Sequence, residues 1–250
     1  MGPISLFDKS FLQGLSVDES VWFDQYFLTC VCPMLYAETL ADLDKPGRRG
    51  RTAADEVRII ANKFPQMGSY ACAHHLQLVM AELMGYAIPF TGQIPLAEGR
   101  LVEVAGDVSV VSSGSAVNDA FLRWQRREFT EVERRYAAQW RRMLAKLDLR
   151  SLADLDERFG SDMRGCRSLE GAVASARRFV DLLDASGQAM AFAFDALAVP
   201  AAAWPMLSEK WTHAKDWPLR KWAPYTSLIL EIDMYFRAAM AASLISSDRP

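Results

Sequence analysis

The sequence predicts an α/β fold: a strand–helix–strand–helix opening with parallel strands, followed by a long, mostly helical stretch with a small β hairpin. Three observations predict it. Apolar runs end at Phe7 and at Cys32, and each is short enough for a strand. A helical segment follows the first run and another follows the second, and two strands joined by a crossover helix pair in parallel. From residue 46 onward apolar residues recur at helical spacing, except between Ile88 and Ser112, where Thr, Val and Ile alternate with polar residues.

Each element has a local reason. Ile4, Leu6 and Phe7 form a strand of about five residues ending at Asp8. Ser16 and Glu19 make the S-x-x-E capping pattern of a helix start, and Asp18 and Glu19 suit its dipole. Val17, Val21, Trp22 and Tyr26 lie on one face of that helix. Pro33 closes the strand Phe27–Cys32 and opens a helix, with Met34, Leu35, Leu40 and Leu43 as its buried stripe and Glu38 off it. The stretch KPGRRGR, Lys45–Arg51, is a turn. Thr52 and Asp55 start a helix to about Lys63, Pro65–Ser69 is a loop, and Tyr70–Gly85 is a helix stopped by Gly85. Gly114–Leu147 reads as one long helix with an arginine-rich outer face. Ser151–Phe159 and Arg164–Ala185 are further helices, and Pro200–Pro224 is a connection of short helices anchored by tryptophans. Thr226–Ser243 closes the chain as a helix, apolar on Leu228, Ile232, Tyr235, Phe236, Ala239 and Met240. The expected organisation is an opening at 1–45, a mostly helical insertion at 46–225 with its β excursion near 88–112, and a terminal helix at 226–250 packing back on the opening.

Composition sets limits. Hydrophobic residues make up 51% of the 250, enough for a real core and too many for a disordered chain. The net charge of -3 is too small to indicate a partner, which local patches decide. Four cysteines without a CxxC pair form no disulfide framework and read as reduced thiols, and no basic-then-apolar leader opens the chain; both point to the cytoplasm. The run Ala189–Leu207 is alanine-rich, holds Asp195 and is interrupted by Pro200 and Pro205, so no membrane span is expected. Adjacent His74 and His75 diverge on a helix and lack a second pair at zinc-ligand spacing. No GxSxG elbow, GxxxxGK[ST] loop or GxGxxG loop is present.

The opening resembles the PIN domain, a nuclease fold known from the toxins of bacterial toxin–antitoxin pairs. The features that carry the likeness are a first strand ending in Asp, FDKS at Asp8, and an acidic helix after the second strand, YAETLADL at Glu38. The same opening resembles a group of uncharacterised bacterial proteins sharing the DKSF and VDESVWFD wording. The likeness spans residues 3–44. It implies a metal-dependent ribonuclease in which Asp8 and Glu38 are metal-binding carboxylates, with an antitoxin or other protein as partner. The family completes its cluster with further acids from later elements; Asp233, within EIDMYF, and Asp248, beside the terminus, are the residues available here.

The chemistry asks for such residues. Phosphodiester hydrolysis needs a positioned hydroxide and a neutralised phosphate, and Mg²⁺ or Mn²⁺ on hard carboxylate oxygens supplies both. Asp8 and Glu38 are therefore the candidate catalytic and metal-binding pair, Asp42 one turn beyond Glu38 is a third candidate ligand, and Ser10 is placed to help hold a metal-bound water. The plainer alternative is that Asp8 caps the strand exit and Glu38 is a solvated helix residue. Lys45, Arg48, Arg49 and Arg51 on a glycine-containing loop are candidate RNA-backbone contacts. The arginines of the long helix serve equally as a solubilising face. A rival reading is a shortened or inactive binding protein acting through its helical surface, and a third is a helical lid over a small-molecule site of another hydrolase.

Overall fold

A computed structural model describes residues 4–47, 50–64, 70–90, 99–104, 107–112, 116–146, 165–212 and 217–245. The chain is α/β and mostly helical and divides into two compact units, Met1–His74 with Thr91–Leu147, and His75–Phe90 with Asp148–Pro250. Residue 45 is not a break between them, and the last helix lies in the second unit.

The first unit opens on β1 (Ile4–Leu6), α1 (Lys9–Gly14), α2 (Val17–Tyr26), β2 (Leu28–Val31) and α3 (Pro33–Leu40). The Ser16/Glu19 capping box and Pro33 in the first turn are both present, as the sequence predicts. β1 and β2 are parallel with Leu6 opposite Cys30, and β3 (Tyr70–Ala71) adds to the far side of β2, so the order is β1-β2-β3. α3 tightens into a 3-10 turn, Ala41–Asp44, before α4 (Ala53–Ala61), which starts at the expected Thr52/Asp55 box. The β excursion is a hairpin, β4 (Gly99–Val104) antiparallel to β5 (Asp107–Ser112). Phe7, Leu12, Val31, Leu35, Val57, Phe121 and Trp124 fill the core, where Phe64 stacks on Phe121 at 3.9 Å. Lys63 is buried and donates to the Leu12 and Gln13 carbonyls at the end of α1, which need a cation or donor there.

Several elements depart from expectation. α1 was not foreseen; KSFLQG is short and ends in glycine, but Asp8 caps it. Tyr70 begins a strand, so the helix expected there, α5, runs only over His75–Leu83. Gly85 ends it with φ +94. The long helix is two: α6 (Ala116–Gln125) and α7 (Glu131–Lys146). The break is chemical. Arg127 turns left-handed, and Thr130 with Glu133 makes a fresh capping box, Thr130 N–H donating to Glu133 at 2.7 Å and Glu133 N–H to Thr130 Oγ1 at 3.2 Å. The helix expected at Ser151–Phe159 and the loop Pro65–Ser69 lie outside the described residues.

The second unit continues with α8 (Leu169–Ala185), α9 (Ala189–Ala196), α10 (Trp204–Thr212), α11 (Leu219–Trp222) and α12 (Pro224–Ala241). Among the described residues no helix is long and apolar enough to cross a membrane. The described residues of the 200–224 connection include short helices, with Trp211 edge-on to Trp222 at 3.8 Å. α12 buries Thr226, Leu230, Met234 and Ala238, while Leu228, Ile232 and Phe236 of the expected face are exposed. Both rows repeat every four residues, so apolar spacing alone does not choose between them. Buried Glu82 of α5 accepts the Tyr225 and Thr226 N–H groups at 2.8 and 2.7 Å, capping α12 where the N-cap residue, Ala223, has no side chain able to do so.

Candidate functional site

The parallel register decides what meets at the sheet's carboxyl edge, where open α/β sheets place their ligand sites. Leu6 and Cys30 are level, so Asp8 and Cys32, each two residues further on, leave the sheet side by side. Both are helix N-caps, Asp8 for α1 and Cys32 for α3. Asp8 is exposed; its Oδ1 accepts the Phe11 N–H at 2.8 Å and its Oδ2 the Ser10 hydroxyl at 2.7 Å. The Phe11 N–H first, and the Ser10 hydroxyl second, stabilise the anion and hold the Asp8 carboxyl below its ordinary value. Asp8 is therefore ionised at neutral pH, and Ser10 orients it.

Glu38 lies on α3 with its carboxylate exposed. A lysine that sequence reasoning passed over ties its segment to that of Asp8. Lys9 is buried, and its Nζ donates to the Glu38 carbonyl at 3.1 Å and to Asp42 Oδ2 at 2.5 Å. The start of α1 is thus fastened to the last turn of α3. Nothing local marks it, since Lys9 stands between Asp8 and Ser10 and its carboxylate partner lies 33 residues away.

Asp42 departs from expectation. After Leu40 the chain follows 3-10 rather than α spacing, so position 42 no longer aligns with Glu38. Asp42 is 4% exposed, and its second oxygen lies 2.6 Å from Lys45 Nζ, an ion pair rather than an aligned hydrogen bond. Two ammonium groups take up its oxygens, and a metal there would have to displace both. In this structure it anchors Lys9 and Lys45. Lys45 is half-exposed on that pair, and Arg51 is exposed with Glu56 at 3.9 Å. Arg48 and Arg49 lie outside the described residues, as does Asp248. Asp233, in the second unit, accepts from Arg237 Nε at 2.8 Å.

Among the described residues no three His, Cys, Asp or Glu side chains converge as a ready-made metal cage. The donor chemistry of Asp8 and Glu38, hard and exposed carboxylate oxygens, still fits an ion such as Mg²⁺, which needs one or two protein carboxylates and keeps its waters. The buried Cys72 thiol is unsuited to nucleophilic work. Burial, then the neighbouring Cys30 and Cys32, push the Cys72 thiol up to about 12, so it stays protonated. In comparison with known proteins, no family model, curated protein or solved structure matches the chain.

Proposed function

We propose that the chain is a metal-dependent endoribonuclease of PIN type, hydrolysing RNA phosphodiesters at the edge occupied by Asp8 and Glu38. One observation carries the reading: two exposed carboxylates follow adjacent parallel strands, and buried Lys9 fastens their segments together. Mg²⁺ or Mn²⁺ on these oxygens would supply the hydroxide and neutralise phosphate charge. The Phe11 N–H and the Ser10 hydroxyl favour the charged form of Asp8, the form a divalent ion needs. Lys9 ties the start of α1 to the Glu38 backbone carbonyl, and Lys45 and Arg51 would offer cations to the RNA backbone without reading sequence.

Metal removal tests the reading. The purified chain with single-stranded RNA and Mn²⁺ is expected to cut, and EDTA to return cleavage to background. Cleavage that persists undiminished in EDTA rules the proposal out. A second reading, a non-catalytic protein working through its helical surface, draws support from exposed Leu228, Ile232 and Phe236 on α12. It is preferred if the native chain cuts no RNA in either condition.

A further inference from the structure

Two helices of the first unit leave apolar side chains in solvent, and their charges are opposite. α2 exposes Val17, Val21, Trp22 and Tyr26, with Trp22 64% and Tyr26 63% exposed and their rings stacked at 6.5 Å. It also carries Asp18, Glu19 and Asp24 and no basic residue. α7 exposes Val132 (66%), Tyr136 and Met143 (48%). With half-buried Trp140 these recur at i, i+4, i+8 and i+11, one face of a helix. Tyr136 stacks on Trp140 at 6.1 Å. The helix carries Arg134, Arg135, Arg141, Arg142 and Lys146 against two acids, one of which, Glu133, is already bonded to Arg123.

We propose that a second copy of this chain covers both faces, α2 of each protomer seating on α7 of the other. Contiguous exposed aromatics mark interaction surfaces, and aromatic residues with arginine are enriched where proteins meet. Charge fixes the pairing: α2 on α2 sets acid against acid, α7 on α7 base against base, and only α2 on α7 is complementary. A chain carrying both halves pairs with itself, each contact made twice about a two-fold axis. A nucleic acid would satisfy the α7 arginines but would be repelled by α2, leaving Trp22 and Tyr26 uncovered.

Charge exchange tests the pairing by sedimentation. One variant makes α2 basic (Asp18→Lys with Glu19→Lys), and the other makes α7 acidic (Arg135→Glu with Arg142→Glu). All four positions are exposed, and circular dichroism checks that each variant is folded. The native chain is expected to sediment at twice the monomer mass and each variant alone as a monomer. An equal mixture of the two variants is expected to recover the doubled mass, because basic α2 then meets acidic α7. A monomeric native chain, a variant that still doubles alone, or a mixture that stays monomeric overturns the proposal.

Discussion

Asp8→Asn is expected to lower Mn²⁺-dependent RNA cleavage at least about 100-fold, more than changes to residues that merely support a metal ligand. The substitution is clean because the two duties of Asp8 separate. Asparagine caps a helix as well as aspartate does, so its carbonyl oxygen still accepts the Phe11 N–H and α1 keeps its start. The negative charge a divalent ion needs is lost. Glu38→Gln is expected to lose a similar factor, and the double variant little more, because ligands of one ion act as a unit. Initial cleavage rates of variants with native circular dichroism decide it. An Asp8→Asn protein that cuts within a few-fold of native would leave Asp8 with its capping role alone.

The largest stability effect is expected at Glu133. Its carboxylate takes Arg123 Nη1 and Nη2 at 3.0 and 2.7 Å, Trp124 Nε1 at 3.1 Å and Thr130 N–H at 2.7 Å. Glu133→Ala removes the capping box of α7 and leaves the buried indole N–H and an arginine without their acceptor, a loss of about 3 kcal/mol. Acid should erase part of the same contribution. Burial works to raise the carboxyl's pKa, but the Arg123, Thr130 and Trp124 donors outweigh it and hold it below the ordinary value. A group depressed on folding stabilises above its unfolded pKa and loses that contribution as pH falls through the folded one. Urea melts of native and Glu133→Gln proteins should therefore differ most near neutral pH, and the difference should begin to shrink as pH falls below about 4, the ordinary glutamate value. A gap that stays constant down to pH 3 would show that the charge of Glu133 adds nothing.

Local chemistry was the most legible part of the sequence. Ser16/Glu19, Thr52/Asp55, Pro33 and Gly85 each specify one backbone event through neighbours within a few residues, and each appears where the spacing put it. The T-x-x-E of Thr130 and Glu133 is the same signal, masked by the apolar periodicity that runs through the break between α6 and α7. Which helix face is buried was much less legible. Ser20 is the buried residue of α2, and Glu133 and Ala137 those of α7, while the apolar residues beside them are exposed. Periodicity marks a stripe, but close helix packing selects small or hydrogen-bonded residues, and an apolar stripe left outside is indistinguishable in sequence from one inside. Asp8 and Glu38 were singled out by residue type and place, and both are exposed. Asp42 was singled out as well, but its burial on Lys9 was not, because an ion pair spanning 33 residues leaves no local mark.

Mn²⁺ titration of the native chain, with free ion followed by electron paramagnetic resonance, bears most directly on the paired carboxylates. A single site filling below about 1 mM is expected. Asp8→Asn and Glu38→Gln should each weaken it at least about tenfold, and the double variant should abolish it. A native chain that takes up no Mn²⁺ in this range, or one whose affinity is unchanged by Asp8→Asn, would contradict the placement of a cation between these two side chains.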